Sequence, residues 1–147
     1  SCPNLTINIL FLCVGNSARS QIAEALAAEM LPNTFQIESA GSDPAGYVHE
    51  EAINVMKEIG IDISEQRSKK ISDLDEEFIN NLDFVITLCA EEVCPVILSK
   101  AKKIYWPNPD PVVEGTTSKQ QKILFQKVRD NLFLMLKKFF THQLKDF

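Results

Sequence analysis

Short apolar runs alternate with amphipathic segments along most of the chain. The first run, Ile7 to Leu12, is largely apolar and rich in branched side chains, which predicts a buried strand. Comparable runs predict further strands at 35–39, 83–88 and 103–106. Between 107 and 111 three prolines exclude both a helix and a central strand, so this stretch is predicted to be a rigid loop.

Helices are predicted where apolar residues recur every three or four positions. Ile22, Leu26 and Met30 form one such face, and Pro32 ends that helix. The predicted helices cover residues 20–31, 52–59, 73–82 and 117–140, with Gly60 after the second, Asp73 as a cap of the third, and Leu124, Val128, Leu132, Met135 and Phe139 on one face of the last.

Strands that alternate with helices predict an α/β fold. We expect a single domain over residues 1–147, built as a three-layer sandwich: a four-stranded parallel sheet with helices on both faces. Ligands of such sheets bind beyond the carboxyl ends of the strands, where the strand order reverses. Cys13 directly follows the first predicted strand and Cys89 follows the third, so the two cysteines meet if those strands are neighbours.

Composition narrows the classes of partner. The formal net charge is −5, which argues against a nucleic-acid partner, because nucleic-acid affinity depends on spread positive charge. No apolar run approaches the ~20 residues needed to span a bilayer, and no secretory signal pattern is evident. A cytoplasmic monomer with no membrane association is therefore expected.

The segment from Cys13 to Ser20 has the composition of an anion-binding loop. Between the strand and the helix lie Val14, Gly15, Asn16, Ser17 and Ala18, whose backbone N–H groups can turn toward an anion beside the positive end of the helix dipole. Arg19 adds a planar fork for two oxyanion oxygens. The same field favours the thiolate of Cys13, and Ser20 can hydrogen-bond its sulfur. The alternative is a buried structural cysteine beside an ordinary turn.

Asp110 lies between Pro109 and Pro111, which restrict the backbone around it. A carboxyl group held near the anion loop could protonate a leaving oxygen as a general acid. Aspartate is also a frequent turn residue, and spacing alone leaves both interpretations open.

Cys89 and Cys94 decide between hydrolytic and reductive chemistry. A phosphatase needs one cysteine and a water, whereas thiol-based reduction needs a second thiol to attack the first sulfur and a third to carry the disulfide outward. The alternative is two small buried apolar side chains. Zinc is a weak interpretation, because only these two of the four cysteines are close in sequence and both histidines lie in other segments.

Several motifs, in order from about residue 7 to residue 111, resemble thioredoxin-coupled arsenate reductases with the low-molecular-weight tyrosine phosphatase fold. Five groups of residues carry the resemblance. They are residues 11–13 with residues 19–24, Glu38-Ser39-Ala40-Gly41, Val48-His49 with residues 60–64, residues 87–89 with Cys94-Pro95, and Trp106 with Asp110-Pro111. Two departures stand out: the segment between Cys89 and Cys94 is shorter than in well-known members, and Ala18 stands where many relatives have a further cysteine.

The resemblance implies a role for each matching residue. Cys13 would attack arsenate while Arg19 and the amides of residues 14–20 hold the oxygens, and Asp110 would protonate the departing hydroxyl. Cys89 would then attack Cys13 and release arsenite, and Cys94 would attack Cys89. The resulting disulfide would pass to thioredoxin, or to a glutathione–glutaredoxin pair, and no tightly bound cofactor is implied.

Two further points follow from the resemblance. Some members bind a monovalent cation near the positions of Asn16, Glu24 and Ser39. A low-molecular-weight tyrosine phosphatase acting through Cys13, Arg19 and Asp110 is the alternative enzyme. Those phosphatases typically have a tyrosine after Asp-Pro and a proline after Arg-Ser, where this chain has Val112 and Gln21. A non-enzymatic oxyanion-binding or redox-sensing module is the third hypothesis.

Overall fold

A computed structural model describes residues 6–90 and 99–142. Its elements in chain order are β1 (Ile7–Cys13), α1 (Arg19–Met30), β2 (Phe35–Gly41), α2 (Glu50–Lys57), a 3₁₀ turn (Ile71–Asp73), α3 (Glu76–Asn80), β3 (Leu82–Thr87), β4 (Lys102–Tyr105) and α4 (Ser118–His142). Within this part of the chain no helix, including α4, is long and apolar enough to cross a bilayer.

The four described strands form one parallel sheet in the order β2-β1-β3-β4. The chain goes from β1 to β2 on one side and then crosses back past β1 to β3 on the other, so the strand order reverses between β1 and β3. This arrangement confirms the predicted α/β fold and the neighbouring position of the strands that precede Cys13 and Cys89.

Alternate side chains of β1 point to opposite faces of the sheet and seed two cores. Ile9 and Phe11 pack with residues of α1, α2 and α4 in the larger core. Leu10 and Leu12 pack on the other face with Leu74 and residues of α3 in a smaller core. Because both faces of β1 are covered, every residue of the strand except Asn8 is apolar.

Element boundaries differ from the sequence predictions by one to three residues, and two of the differences have a physical reason. The prediction ended the second strand at Ser39, but β2 continues to Gly41, which pairs in register with Cys13. The predicted helix at 73–82 is a shorter helix, α3, and Asp73 does not cap it. Asp75 caps α3 by accepting a hydrogen bond from the N–H of Glu77, whereas Asp73 accepts one from the N–H of Lys70.

The buried face of α4 also differs in part from the prediction. Its fully buried residues are Phe125, Val128, Leu132, Leu136 and Phe139. Leu124 and Met135, which the periodicity had assigned to the core, are only half-buried. The buried face of α4 is therefore rotated slightly from the predicted face. Phe139, which both faces share, packs edge-on against Phe84 and Trp106.

Candidate active site

The carboxyl ends of β1 and β3 bring two cysteines to one edge of the sheet. Cys13 is the last residue of β1. The N–H of Leu88 donates to the carbonyl of Leu12 at 2.9 Å, which continues the strand pairing up to the residue before Cys89. Cys13 and Cys89 are both buried and neither forms a disulfide. Cys94 lies outside the described residues.

Backbone hydrogen bonds fix the orientation of the loop after β1. The carbonyls of Val14, Gly15 and Ser17 accept hydrogen bonds from the N–H groups of residues 43, 45 and 49 at 2.8–3.0 Å. The C=O and N–H of one trans peptide point in opposite directions, so the N–H groups of residues 15, 16 and 18 point toward the interior of the loop. The N–H of Asn16 does so visibly, because it donates to the Sγ of Cys13 at 3.2 Å. The loop thus has the donor arrangement of an anion cradle.

The start of α1 completes this cradle. No side chain within the described residues caps the helix, and its first turn contains no acidic residue. Uncapped N–H groups at a helix start carry partial positive charge, which favours an anion. The local field therefore attracts a negative ligand although the whole chain carries a net charge of −5.

Two hydrogen-bonding groups, one from the backbone and one from a side chain, contact the Sγ of Cys13. The Oγ of Ser20 lies 2.8 Å from this sulfur. The same Oγ accepts a hydrogen bond from the Nδ2 of Asn16 at 2.7 Å. When Cys13 is a thiolate its sulfur can only accept, so the hydroxyl of Ser20 is then the donor. Two donors, one backbone and one hydroxyl, thus converge on the sulfur, and such donors stabilise a thiolate.

Asn16 adopts a left-handed backbone conformation, with φ of 47°. Asparagine tolerates this region better than most residues. Its side chain is fully used: Nδ2 donates to the hydroxyls of Ser20 and Ser39, and Oδ1 accepts from Gln21 and from the N–H of Lys69. Asn16 is therefore the residue that fixes the shape of the cradle.

Arg19 is buried beside the cradle. Its Nη1 donates to the carbonyl of Asn108 at 2.9 Å, which ties the start of α1 to the proline-rich loop. Asn108 is itself held by the N–H···O bond to Leu88 and by Asn131 of α4, whose Nδ2 donates to its Oδ1 at 2.9 Å. The guanidinium is thereby oriented by the fold, independently of any ligand.

A cavity of about 340 Å³ opens above the loop. Its walls are formed by Val14, Gly15, Ser17, Ala18, Arg19, Tyr47, His49, Asp110 and Val112. Asp110, predicted from the sequence as a candidate acid, therefore shares a cavity with the anion loop. Its Oδ1 accepts from the N–H of Val112 at 2.9 Å, and this turn positions the exposed carboxyl group at the cavity wall.

Three residues that line this cavity, Tyr47, His49 and Val112, were not predicted as site residues, although His49 and Val112 entered the family comparison. His49 caps α2, since its Nδ1 accepts from the N–H of Glu51 at 3.0 Å, and its ring lies 4.8 Å from that of Phe125. This hydrogen bond assigns the proton of the neutral ring to Nε2. His49 stands before two glutamates, a pattern typical of the start of a helix, so its cap position could have been predicted. Nothing in the local pattern indicated Tyr47.

Comparison with known proteins assigns the family. Residues 8–146 match the family described as low molecular weight phosphotyrosine protein phosphatase. The chain belongs to this family. An arsenate reductase of Halalkalibacterium halodurans is 41% identical over 133 residues, which span 89% of this chain and 93% of that protein. An arsenate reductase of Bacillus subtilis has the same identity and the same coverage. These relatives confirm the predicted resemblance to arsenate reductases and the prediction of an enzyme.

Solved structures give the same result for this phosphatase-family chain. An arsenate reductase in the phosphate-binding state superposes with a TM-score of 0.69 at 27% identity, over 92% of this chain and 98% of that one. A thioredoxin-dependent arsenate reductase of Corynebacterium glutamicum superposes with a TM-score of 0.64 at 28% identity, over 90% of this chain and 61% of the other.

Proposed function

We propose that this enzyme reduces arsenate to arsenite and is regenerated by thioredoxin. The observation that carries the proposal is the position of Cys13 on the floor of an anion cradle while Cys89 follows the neighbouring strand at the same edge of the sheet. A second thiol beside the nucleophile allows a covalent adduct to be resolved by reduction. The relatives named arsenate reductase, at about 40% identity over most of the chain, support this assignment.

In the proposed reaction the Cys13 thiolate attacks the arsenic atom and forms a sulfur–arsenic bond. Hydroxide leaves from arsenic and takes a proton from Asp110, so it departs as water. Arg19 and the N–H groups of the cradle neutralise the charge on the remaining oxygens, which grows as the bond forms.

Reduction occurs when the adduct is resolved. The thiolate of Cys89 attacks the Cys13 sulfur, a disulfide forms, and the electron pair of the sulfur–arsenic bond leaves with arsenic as arsenite. Cys94 then attacks Cys89, which frees Cys13 and leaves a Cys89–Cys94 disulfide. The thioredoxin dithiol reduces this disulfide. Two thiols thus supply the two electrons that arsenate takes up.

The proposal is tested by arsenate-dependent oxidation of NADPH in the presence of thioredoxin and its reductase. We expect turnover by the wild type and by Cys2→Ser, and loss of turnover in Cys89→Ser and in Cys94→Ser. Cys2→Ser is the matched control, because Cys2, the fourth cysteine, precedes the first predicted strand and has no part in the proposed relay. Turnover that survives both relay substitutions would exclude the disulfide relay.

The alternative is a phosphatase that uses Cys13, Arg19 and Asp110, and the arsenate reductase relatives do not favour it. No arsenate turnover together with steady hydrolysis of p-nitrophenyl phosphate would establish the phosphatase instead. Inactivity in both assays would favour an oxyanion-binding or redox-sensing module. Replacing thioredoxin by glutathione and glutaredoxin in the first assay identifies the electron donor.

A further inference from the structure

A lysine occupies the side of the cradle where the family resemblance implies a monovalent cation. Lys69 is mostly buried, with 19% of its side chain exposed, and its Nζ lies 3.5 Å from the Oε1 of Glu24. The same ammonium donates to the carbonyl of Arg67 at 3.3 Å. A protein cation therefore already contacts Glu24, one of the three residues for which an ion was expected.

Two oxygens on this side of the cradle already accept two protein donors each. The Oδ1 of Asn16 accepts two N–H groups, from Gln21 and from the backbone of Lys69. The carbonyl of Arg67 accepts from Gln21 as well as from the Lys69 ammonium. An oxygen with two lone pairs and two donors has none left to coordinate a cation. The residues present therefore do not fit a bound monovalent ion.

The ammonium is linked to the nucleophile by a directed chain of hydrogen bonds. The Oγ of Ser39 donates to the Oε1 of Glu24 at 2.6 Å, a direction fixed by the carboxylate, which only accepts. The Oγ of Ser39 then accepts from Asn16, and Asn16 donates to Ser20, whose hydroxyl faces Cys13. The chain of contacts thus runs from the pair of Lys69 with Glu24 through Ser39 and Asn16 to Ser20.

We propose that Lys69 is a positioning residue that takes the place of a monovalent cation, so that the shape of the cradle and the reactivity of Cys13 do not depend on potassium. The backbone N–H and C=O of Lys69 also contact the cradle, through Asn16 and Gly41. A side-chain substitution leaves those contacts in place and removes only the charge. The proposal concerns the cradle and is independent of how an arsenic adduct is resolved.

A second carboxylate, that of Glu38, also responds to the charge of Lys69. Glu38 is half-buried, and burial raises its pKa while Lys69 lowers it and Glu24 raises it. Glu24 and Glu38 therefore both lie in the field of the ammonium. Without the ammonium, the repulsion between these two carboxylates in a partly desolvated region favours capture of a free cation. Loss of Lys69 should therefore create a dependence on potassium that the wild type lacks.

The test measures two properties in KCl and in choline chloride at equal ionic strength. One is the melting temperature, and the other is the rate at which iodoacetamide alkylates Cys13, followed by mass spectrometry of the peptide that contains it. We expect the wild type to behave identically in both salts. In Lys69→Met we expect alkylation about tenfold slower in choline chloride, with both properties recovering in KCl, and Lys69→Arg should behave as the wild type.

Lys70→Met is the matched control, because Lys70 is the next residue and is exposed. If Lys69→Met does not fold, Lys69→Gln takes its place, since glutamine keeps a polar end without the charge. A wild type stabilised saturably by potassium and not by choline would overturn the proposal. So would a Lys69→Met protein that matches Lys70→Met, or one that is impaired and does not recover in KCl.

Discussion

Arg19 is held in place by the protein itself, because the carbonyl of Asn108 accepts a hydrogen bond from its Nη1. A guanidinium can donate to this carbonyl on one side and still present further N–H groups to an oxyanion on the other. A lysine ammonium carries the same charge but lacks the fork geometry that serves both partners. The charge and the geometry of Arg19 can therefore be tested separately.

Arg19→Lys should lower kcat/KM for arsenate by about 100-fold, the size of effect expected when one oriented donor to a developing oxyanion is lost. Steady-state kinetics of arsenate reduction measure this loss. Arg67→Lys is the control, because the Arg67 side chain is exposed. Equal activity of the two variants would show that charge alone suffices at residue 19.

Ser20→Ala should slow alkylation of Cys13 at neutral pH by about tenfold, since the thiolate loses a hydroxyl donor and a hydrogen bond to a charged group is worth about 1.5–3 kcal/mol. Rates of iodoacetamide labelling at Cys13 provide the measurement. Ser42→Ala, a change at an exposed serine, should leave the rate unaltered. An unaltered rate in Ser20→Ala would mean that the hydroxyl does not act on the sulfur.

At the level of elements, the position of the cradle depends on how closely β2 approaches the loop after β1. A Cβ atom added at Gly41 would lie 2.2 Å from the carbonyl oxygen of Val14, a distance that no side chain can occupy. The contact is backbone against Cβ, so no rotamer change relieves it. Only glycine at the end of β2 lets the loop close over the sheet.

Gly41→Ala should therefore displace the loop, destabilise the fold by about 1–3 kcal/mol and slow alkylation of Cys13. Urea denaturation and iodoacetamide labelling measure the two effects. Gly115→Ala is the control: its φ of +80° strains the new residue, but a Cβ there meets no atom within 4 Å. We expect it to lose stability and keep full Cys13 reactivity, and a similar result for Gly41→Ala would contradict this account.

The elements show where periodicity is informative and where it is not. The strands and helices were predicted because apolar residues recur with periods of two or about 3.6, and burial enforces these periods. The buried face of α4 was misassigned by one position, at 124 against Phe125 and at 135 against Leu136. Adjacent apolar residues on a helix give two plausible faces, and only packing against the sheet selects between them.

Across the whole molecule, the helical layer is tied together at its surface by Glu58, just after α2. Its carboxylate accepts from Gln126 and pairs with Arg129 at 2.8 Å and with Lys122 at 3.6 Å, all on α4. Hydrogen bonds from Gln126 and then Arg129 hold the pKa of Glu58 below its ordinary value of 4.5. A folded-state pKa below the unfolded value stabilises the fold when the group is ionised.

Glu58→Gln should therefore melt at a lower temperature than the wild type at neutral pH. The difference should shrink as the pH falls from 4.5 through the lower pKa of Glu58 in the folded state, because the carboxylate of the folded protein is then protonated and its contribution is lost. Melting curves across this pH range, with Glu65→Gln as an exposed control, measure the trend. A difference that does not change with pH would show that ionisation of Glu58 has no part in stability.

The site as a whole was only partly predictable from the sequence. Cys13 to Ser20 could be recognised because one continuous segment provides the proposed nucleophile, the backbone donors and the arginine. Lys69 and Asn108 could not, because their contacts join segments separated by 45 and 89 residues. In the sequence, Lys69 stands next to Lys70 and looks like an ordinary surface charge. Only the fold places it beside Glu24.

Burial of Cys89 bears on how the enzyme withstands oxidative stress. Its side chain has 0% exposure to solvent, although it stands at the same sheet edge as Cys13. Dissolved peroxide oxidises thiols that it can reach, and the further steps to sulfinic and sulfonic acid are irreversible for most proteins. A sulfur without solvent contact is shielded from this damage, so the proposed relay would keep the reducing electrons of Cys89 away from dissolved oxidants.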